Sequence, residues 1–417
     1  MTDFDELWVW DDPALAGRLG WYREVAANRQ PAKYLIARRI PVEVPLEAPE
    51  DDLWAELSRC TPAFLELRAS LRAGTGALPA RPAGVTLMDL AVELTRRMLG
   101  HCNFCRWHCK VDRIQGTRQG ACQLAAESRV GSYFHHRGEE LIYRGRHGSG
   151  TIFFTSCNMR CSFCQNGDIS TDKHNGIPVT PRLLAAMAAQ LRLEGCHNIN
   201  WVGGEPTIHL HTIVEAISLL EDIHPRRQEL MHALLARSDA FVPYAQREEE
   251  ACYQGLLNAP MLWNSNFFMS RPAMDVLRLL TDVWLPDFKF GPGPCAVKLS
   301  RTPWYWETVT ENLRLIHGWG EDFTIRHLIM PNHLECCTFK VLDWIKEHMP
   351  DVPVNVMDQF HPDNFCDPHS DKYDPKYAEL SRRPHREEIL AAFAYARKLG
   401  LHYESLTYEK NTTGLRC

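Results

Sequence analysis

The sequence predicts an α/β protein: a partial (β/α)6 TIM-like barrel with a helical N-terminal extension and a cysteine-rich metal-binding insert. Three observations support this fold class. From about residue 149 onward, short β-type runs alternate with amphipathic helical segments, which is typical of repeated βα units around a parallel sheet. The first hundred residues have a mostly helical pattern instead. Seven of the fifteen cysteines stand in two tight groups, a pattern that indicates metal ligands.

Composition limits the classes of protein to consider. The 417 residues are 45% apolar and 24% charged, which is ordinary for a globular protein with a large core. Forty-six basic and fifty-two acidic residues give a formal charge of −6, so no overall field favours nucleic acid or an anionic membrane. No uncharged apolar stretch approaches the roughly 18–20 residues of a membrane span, and no signal-peptide pattern follows Met1. We expect a cytoplasmic protein that binds neither nucleic acid nor membrane.

The N-terminal part is predicted to be helical. Apolar residues recur at three- and four-residue spacing in Leu53–Leu71 and in Leu87–Leu99, with a connection rich in Gly, Ala and Pro between them. We predict three regions: a helical region at 1–100, a cysteine-rich metal-binding module at 101–148, and a partial barrel with a C-terminal helix at 149–417.

Six strands alternate with helices in the barrel region. The strand candidates are Thr151–Thr155, Asn198–Val202, Met261–Asn264, Val283–Phe288, Phe323–Met330 and Val352–Met357. The helix candidates are Pro181–Glu194, His211–Leu220, Arg271–Leu280, Pro303–His317, Phe339–His348 and Arg386–Leu399. Six units are fewer than the eight of a closed barrel, so we expect an open side. Polar motifs follow the strands, at the end where barrel enzymes carry out chemistry.

The motif after the first strand is Cys157, Cys161 and Cys164. Because thiols in a reducing compartment stay reduced, such a group indicates metal binding. Three thiolates would hold a four-iron, four-sulfur cluster and leave one iron open to an external ligand. The alternatives are a zinc site with a fourth ligand from elsewhere, or cysteines packed as small apolar residues.

This spacing, with Phe163 before the last cysteine, resembles the signature of the radical S-adenosylmethionine (SAM) superfamily. The resemblance implies that SAM binds the open iron and is reductively cleaved to a 5′-deoxyadenosyl radical, which abstracts a substrate hydrogen. From about Cys102 to Leu401 the chain resembles pyruvate formate-lyase activating enzymes, especially uncharacterised homologues with an upstream cysteine group. That narrower resemblance implies a glycyl-radical protein as substrate, and a flavodoxin or ferredoxin as electron donor.

The resemblance also implies cofactor-binding residues. Gly203, Gly204 and Glu205 match the family's loop at the methionine ammonium, where glycines permit close approach. Lys289 matches a lysine near the methionine carboxylate, an opposite-charge contact that is electrostatically favourable.

Arg326, Asn264, Ser265 and Asp287 match the family's pattern less directly. Arg326 lies where the family has an arginine near the cofactor, but a buried strand arginine needs a partner, and a structural ion pair with Asp287 is the alternative. Asn264, Ser265 and Asp287 align with cofactor and monovalent-cation positions. Asn264 replaces a carboxylate there, which argues against a bound cation. We assign no catalytic residue.

The upstream group comprises Cys102, Cys105, Cys109 and Cys122, four soft ligands at short separations. The second metal is zinc or an iron–sulfur cluster, with a structural role favoured, and His108 could replace one cysteine. The remaining cysteines, including Cys336, Cys337 and Cys417, are predicted to be core or incidental thiols.

Three functions remain open from the sequence. The first is a radical SAM oxidoreductase that activates a glycyl-radical protein. The second is radical epimerisation, dehydrogenation or rearrangement of a peptide or small molecule. The third, from another class, is a non-catalytic zinc scaffold.

Overall fold

The computed structural model describes residues 4–223 and 251–408, so Cys417 lies outside the described residues. The strands are β1 Ser128–His136, β2 Ser149–Phe154, β3 Ile177–Val179, β4 Ile199–Gly203, β5 Cys252–Tyr253, β6 Leu256–Leu257, β7 Met261–Ser265, β8 Val283–Pro286, β9 Ile325–Leu328 and β10 Val354–Met357. The helices are α1 Pro13–Arg18, α2 Gly20–Ala26, α3 Lys33–Ala37, α4 Glu50–Arg72, α5 Leu87–Arg97, α6 Leu141–Arg144, α7 Gly167–Ser170, α8 Pro181–Leu193, α9 Leu210–Leu219, α10 Arg271–Arg278, α11 Cys295–Ser300, α12 Tyr305–Gly318, α13 Phe339–His348, α14 Arg386–Lys398 and α15 Glu404–Thr407.

Six parallel strands follow one another in chain order and form the centre of the fold. β2, β4, β7 and β8 are parallel neighbours, and β9 pairs in parallel with β10. Parallel bridges at Trp284–Phe323 and Asp287–Arg326 join the two groups. These are the six strands predicted from the sequence, so the α/β class is confirmed. Within residues 4–223 and 251–408 no pairing joins β10 back to β2, and the sheet is not closed.

Two strands on one edge of the sheet were not predicted. β1 pairs antiparallel with β2 and with β3, which makes the sheet parallel-rich rather than wholly parallel. The register shifts between Val130 and Ser132, so the alternation that reveals a strand is interrupted there. β1 lies within the stretch that the sequence assigned to the cysteine-rich module.

Helices α1 to α5 lie in the N-terminal part of the chain, which is anchored to the amino ends of the strands. The Asp282 carboxylate, just before β8, accepts hydrogen bonds from Trp21 Nε1 at 3.0 Å, from the Lys33 amide at 3.0 Å and from the Met261 amide at 2.9 Å. The Tyr22 amide donates to the carboxylate of Asp322 at 2.9 Å, just before β9. This packing covers one end of the sheet and leaves the carboxyl ends of the strands for a site.

To cross a membrane, one of the helices would have to be both long and apolar. Within the described part of the chain, none of them meets both conditions.

Candidate functional site

A cavity of about 430 Å³ opens at the carboxyl ends of the parallel strands. Its volume lies in the range of about 300–1,000 Å³ typical of small-molecule sites. The predicted strand-end residues all line it: Cys157, Cys161, Cys164, Gly203, Gly204, Glu205, Asn264, Ser265, Asp287, Lys289 and Arg326. Residues separated by up to 169 positions along the chain therefore share one space, as parallel strands with a common carboxyl edge require.

The three motif cysteines follow β2 on a loop that faces this cavity. The Cys157 sulfur accepts a hydrogen bond from the Met159 amide at 3.3 Å and lies 3.6 Å from Asn266 Nδ2. Burial raises the pKa of all three thiols, that of Cys161 to about 12. Such thiols stay protonated at neutral pH unless a metal displaces the proton, so they suit a metal centre better than a free nucleophile.

The spacing of the motif sulfurs bears on the kind of metal centre that they could hold. Four ligands of one zinc ion crowd together, whereas the ligands of a cubane bind different iron atoms and stand further apart. Within residues 4–223 and 251–408, the motif sulfurs do not form a set lying mutually within 4.8 Å. Three thiols on one loop at the cavity are a donor set that fits a cluster with one iron left open.

The cysteine loop is held from outside by two later segments of the chain. The Arg160 amide donates to the Ser300 carbonyl at 3.0 Å, and the Ser162 amide donates to the Leu299 carbonyl at 2.8 Å, both at the end of α11. The Phe365 amide donates to the Ser162 carbonyl at 2.9 Å. The three cysteines lie close together in the sequence, but the conformation of their loop depends on residues that are far away in sequence.

Gly203 and Gly204 are required by backbone packing beside this loop. Gly203 has φ +116°, and a Cβ there would lie 2.2 Å from the Phe154 amide nitrogen. A Cβ on Gly204 would lie 1.6 Å from the Ser156 carbonyl oxygen, and the Gly204 amide donates to the Phe154 carbonyl at 2.8 Å. The two glycines bring the end of β4 against the segment that leads to Cys157.

Glu205 is fully buried, and both of its carboxylate oxygens accept hydrogen bonds. Oε1 accepts from the Thr207 amide at 3.0 Å, from Thr207 Oγ1 at 2.5 Å and from Ser265 Oγ at 2.8 Å. Oε2 accepts from the Asn266 amide at 2.9 Å. Burial raises the pKa of Glu205 despite these four donors. The carboxylate is held in one position on the cavity wall, where its negative charge suits a cation.

Lys289 and Asp287, which also line the cavity, form an ion pair. Burial acts to lower the pKa of Lys289, but the negative charge of Asp287 outweighs it, and the pKa is raised. Tyr305 Oη accepts from the Lys289 amide at 2.8 Å and donates to the Asp287 carbonyl at 3.1 Å, which fixes the turn after β8. The cavity therefore has a fixed ammonium group close to the motif cysteines.

Arg326 pairs with residues that were not predicted. Its Nε donates to Glu140 Oε1 at 2.9 Å, and its Nη2 contacts the carboxylates of both Glu139 and Glu140. A structural ion pair was one of the two expectations for this arginine, but Asp287 is not its side-chain partner. Asp287 meets β9 through the backbone, where the Phe288 amide donates to the Arg326 carbonyl at 2.8 Å.

Glu139 and Glu140 connect strands that are not neighbours. Asn200 Nδ2 on β4 donates to Glu139 Oε1 at 3.0 Å, and His136 Nδ1 lies 3.2 Å from the same oxygen. Asn355 Nδ2 on β10 donates to Glu140 Oε1 at 2.8 Å. The two carboxylates thus join β4, β9 and β10 across the cavity floor. They were missed because β1, which leads into them, was missed.

The upstream cysteines pack beside the motif loop. Cys102, Cys105 and Cys122 are buried and Cys109 is partly exposed, with its sulfur accepting from the Ala121 amide at 3.4 Å. Ser156 Oγ donates to the Cys122 carbonyl at 2.5 Å, so the two cysteine segments touch. In the described chain these four sulfurs do not form a set lying mutually within 4.8 Å. Their metal stays a prediction.

A third group of metal-ligating side chains was not predicted. Among the described residues, the side chains with ligand atoms all within 4.8 Å of one another are Cys295, His333, Cys336 and Cys337. The expectation that Cys336 and Cys337 are incidental thiols took no account of Cys295 and His333. Those residues lie 38 positions apart, and only the fold brings them together.

Two solved structures show a limited similarity to part of this chain. SuiB of Streptococcus suis bound to its precursor peptide SuiA matches with a TM-score of 0.36 and 11% identity over 60% of this chain and 46% of that chain. The structure of anSMEcpe with bound AdoMet matches with a TM-score of 0.35 and 16% identity over 63% of this chain and 60% of that chain. This chain spans about half the length of SuiB.

Sequence comparisons match this chain to a family model and to a relative along most of its length. The family model for the radical SAM superfamily matches residues 151–240, which include the motif cysteines and the Gly203–Glu205 loop. The uncharacterized protein MJ0674 of Methanocaldococcus jannaschii is 32% identical over 398 residues, covering 92% of this chain and 98% of that protein. The chain is therefore an enzyme of the radical SAM superfamily, with a four-iron, four-sulfur cluster and S-adenosylmethionine as its cofactors.

Proposed function

We propose that this enzyme makes a 5′-deoxyadenosyl radical in the strand-end cavity and uses it to abstract hydrogen from a protein segment, activating a glycyl-radical partner. The observation that carries the proposal is the arrangement of one cavity lined by Cys157, Cys161 and Cys164, a buried carboxylate and a fixed ammonium group. A cluster held by these cysteines would supply the one electron that cleavage of S-adenosylmethionine to methionine and a 5′-deoxyadenosyl radical requires, and the radical would become 5′-deoxyadenosine on taking a substrate hydrogen atom.

The chain's own residues bind and orient the cofactor. Cys157, Cys161 and Cys164 hold the cluster. Glu205 accepts the methionine ammonium, because its carboxylate is already fixed by four donors and adds a negative charge to the wall. Lys289 faces the methionine carboxylate, because its ammonium stays charged beside the motif loop.

The other predicted positions shape the cavity around the cofactor. Gly203 and Gly204 bring the strand-β4 loop close to the cysteine loop, and Asn264, Ser265 and Asp287 form the wall between Glu205 and Lys289. Ser265 acts through Glu205, to which it donates a hydrogen bond.

Arg326 acts on the cavity floor through Glu139 and Glu140. These two carboxylates tie β4 to β9 and β10, which are separated by β7 and β8 in the sheet. A sheet whose non-neighbouring strands share such short contacts is curved, and this supports the partial (β/α)6 barrel. The same proposal divides the chain into three regions. These are a helical extension at 1–100, a metal-binding module at 101–148 and the partial barrel at 149–417.

The size of the cavity supports a macromolecular substrate. At about 430 Å³ it lies near the lower end of small-molecule sites, and S-adenosylmethionine would share this space with the substrate. The substrate then has to enter through the opening of the cavity. An extended segment of a partner protein can enter in this way. A flavodoxin or ferredoxin supplies the electron.

The test is hydrogen transfer. Anaerobic, reduced enzyme is incubated with S-adenosylmethionine and a glycyl-radical protein from the same genome, labelled with deuterium at glycine Cα. We expect deuterium in 5′-deoxyadenosine and a glycyl-radical signal from the partner, both absent with Cys161→Ala and present with Cys196→Ala, a buried cysteine behind the sheet. Deuterium transfer from a labelled free peptide or small molecule instead would overturn the proposed substrate and keep the reaction class.

A further inference from the structure

We propose that Cys295, His333, Cys336 and Cys337 form a structural zinc site, separate from the motif cysteines and from the upstream cysteines. Their ligand atoms all lie within 4.8 Å of one another, the arrangement that a single metal ion requires. This site depends on the packing of two loops and not on the proposed function of the cavity.

The distances agree with a tetrahedral ion. Zinc bound at about 2.3 Å by sulfur and about 2.0–2.1 Å by nitrogen separates two sulfurs by about 3.8 Å, and a sulfur from a nitrogen by about 3.6 Å. The Cys295 and Cys336 sulfurs are 3.6 Å apart. His333 Nδ1 lies 3.7 Å from the Cys295 sulfur, 3.2 Å from that of Cys336 and 4.0 Å from that of Cys337.

The local backbone explains how three ligands come from one turn. The segment Leu334–Thr338 is a π-helix, in which the Thr338 amide donates to the His333 carbonyl at 3.1 Å. Single π-turns are rare in proteins, but those that occur are often found at functional sites. The turn places His333, Cys336 and Cys337 on one face. Cys295, the first residue of α11, completes the set from the loop after β8.

A carboxylate supports the histidine from behind. With Nδ1 facing the sulfurs, the other ring nitrogen of His333 lies 3.6 Å from Glu379 Oε1. Metal-bound histidines commonly present their second nitrogen to a carboxylate, which fixes the ring and its tautomer. Lys298 Nζ lies 2.8 Å from Glu379 and balances part of the negative charge.

A disulfide or an iron–sulfur cluster fits these four side chains less well than a zinc ion does. A disulfide needs about 2.05 Å between sulfurs, whereas the Cys295 and Cys336 sulfurs are 3.6 Å apart. An iron–sulfur cluster would spread its ligands over several irons. Four protein ligands also close the coordination shell of zinc, which is typical of structural sites, while catalytic sites keep one position open.

The site has a structural task beside the cavity. Cys295 begins α11, and Leu299 and Ser300 at its other end accept the hydrogen bonds that hold Ser162 and Arg160 between the motif cysteines. Zinc at the start of this short helix therefore fixes the carbonyl groups that support the cysteine loop. Loss of the zinc is expected to leave the iron–sulfur cluster able to assemble but easier to lose.

The first test counts metals in the purified holoenzyme. Zinc is measured in the parent, in Cys295→Ser and Cys336→Ser, and in a matched control, Cys252→Ser, which changes a partly exposed cysteine outside the group. We expect each site variant to lose one zinc per chain and the control to lose none. The variant Cys109→Ser separates any zinc held by the upstream cysteines. Equal zinc in the site variants and the parent would overturn the proposal.

A second measurement leaves all four proposed zinc ligands unchanged. In the Cys109→Ser protein, zinc is replaced by Co²⁺, and alkylation of the surface thiol Cys336 is followed by mass spectrometry. We expect sulfur-to-cobalt charge-transfer bands with intense tetrahedral d–d bands, and slow alkylation of Cys336 that accelerates many-fold after chelation. Rapid alkylation before chelation, or a disulfide from Cys295 to Cys336, would refute the site.

Discussion

Two cysteine groups near the cavity differ in how the chain builds them. Cys157, Cys161 and Cys164 lie within eight consecutive residues, and their spacing, their position after a strand and the motifs downstream predicted a cluster there. The group of Cys295, His333, Cys336 and Cys337 joins two loops, and its spacing carries no recognisable signal. The comparison teaches that a contiguous motif reveals a site from the sequence, whereas a site assembled by packing becomes visible only in the fold. The two groups meet at α11, which holds the first and begins with a member of the second.

The largest effect should separate the two groups completely. Cys164→Ala removes one cluster ligand, so iron content and 5′-deoxyadenosine formation should fall below detection while zinc is retained. Cys336→Ser should do the reverse: it should lose zinc, keep the cluster, and shorten the half-life of the cluster under chelator several-fold. Metal analysis and product chromatography measure both. Cluster stability identical to the parent in the zinc-free variant would break the link through α11.

The next effect concerns a second feature assembled by the fold, the Arg326 ion pairs. Arg326→Met leaves Glu139 and Glu140 buried without their cation, which should cost about 3 kcal/mol, the low end for a broken buried pair, because Arg326 keeps 14% exposure. Arg96→Met, which breaks an exposed pair with Glu215, is the matched control and should cost about 0–1 kcal/mol. Denaturant unfolding gives both values. Equal costs would show that the cavity floor does not depend on this network.

The same variant has a pH signature. Although burial favours the neutral acid, Arg326 and His136 lower the pKa of Glu139, so this carboxylate stabilises the fold above its unfolded pKa of about 4.3 and the stabilisation is lost as pH falls through the folded pKa. In Arg326→Met the pKa of Glu139 rises. The destabilisation should therefore be largest near neutral pH and shrink below about pH 4. A cost that does not vary with pH would contradict the ionised pair.

A smaller effect is expected at Glu205, where a contiguous motif and distant donors combine. Glu205→Gln removes the charge and turns an amide group towards Thr207 or Asn266, so cofactor binding should weaken by about 1.5–3 kcal/mol, the range for a hydrogen bond to a charged group. This corresponds to roughly a ten- to hundredfold rise in Kd. Anaerobic calorimetry on cluster-loaded protein measures it, with Glu215→Gln as an exposed control. An unchanged Kd would remove Glu205 from the cofactor site.

The smallest effect tests the anchoring of the N-terminal helices. Asp282→Asn leaves one acceptor oxygen for the three N–H groups of Trp21, Lys33 and Met261, and an unsatisfied buried donor costs about 1–3 kcal/mol. Chemical unfolding of the full chain should show this loss, while metal content stays at the parent value. A separate early transition for the N-terminal residues in the parent protein would argue that they are not part of the same cooperative unit.

Local patterns explain what the sequence predicted. The six parallel strands were recognisable because each is a short apolar run bounded by turn residues, and the strand-end motifs followed because parallel strands share a carboxyl edge. β1 was not predicted because the shift in strand register after Val130 interrupts the alternation of its side chains. The partners of Arg326 escaped because Glu139 and Glu140 lie 187 and 186 positions away. The group at His333 escaped because nothing in the sequence marks a π-turn or pairs it with Cys295.

The central claim is that Cys157, Cys161 and Cys164 hold a cluster with one iron open to S-adenosylmethionine. Anaerobic electron paramagnetic resonance of the dithionite-reduced protein, before and after adding the cofactor and with iron and zinc counted, tests it most directly. We predict a reduced-cubane signal that shifts when S-adenosylmethionine is added and is absent in Cys161→Ala, with zinc still present. A reconstituted protein that contains zinc without iron, or a cluster signal that the cofactor leaves unchanged, would contradict the account.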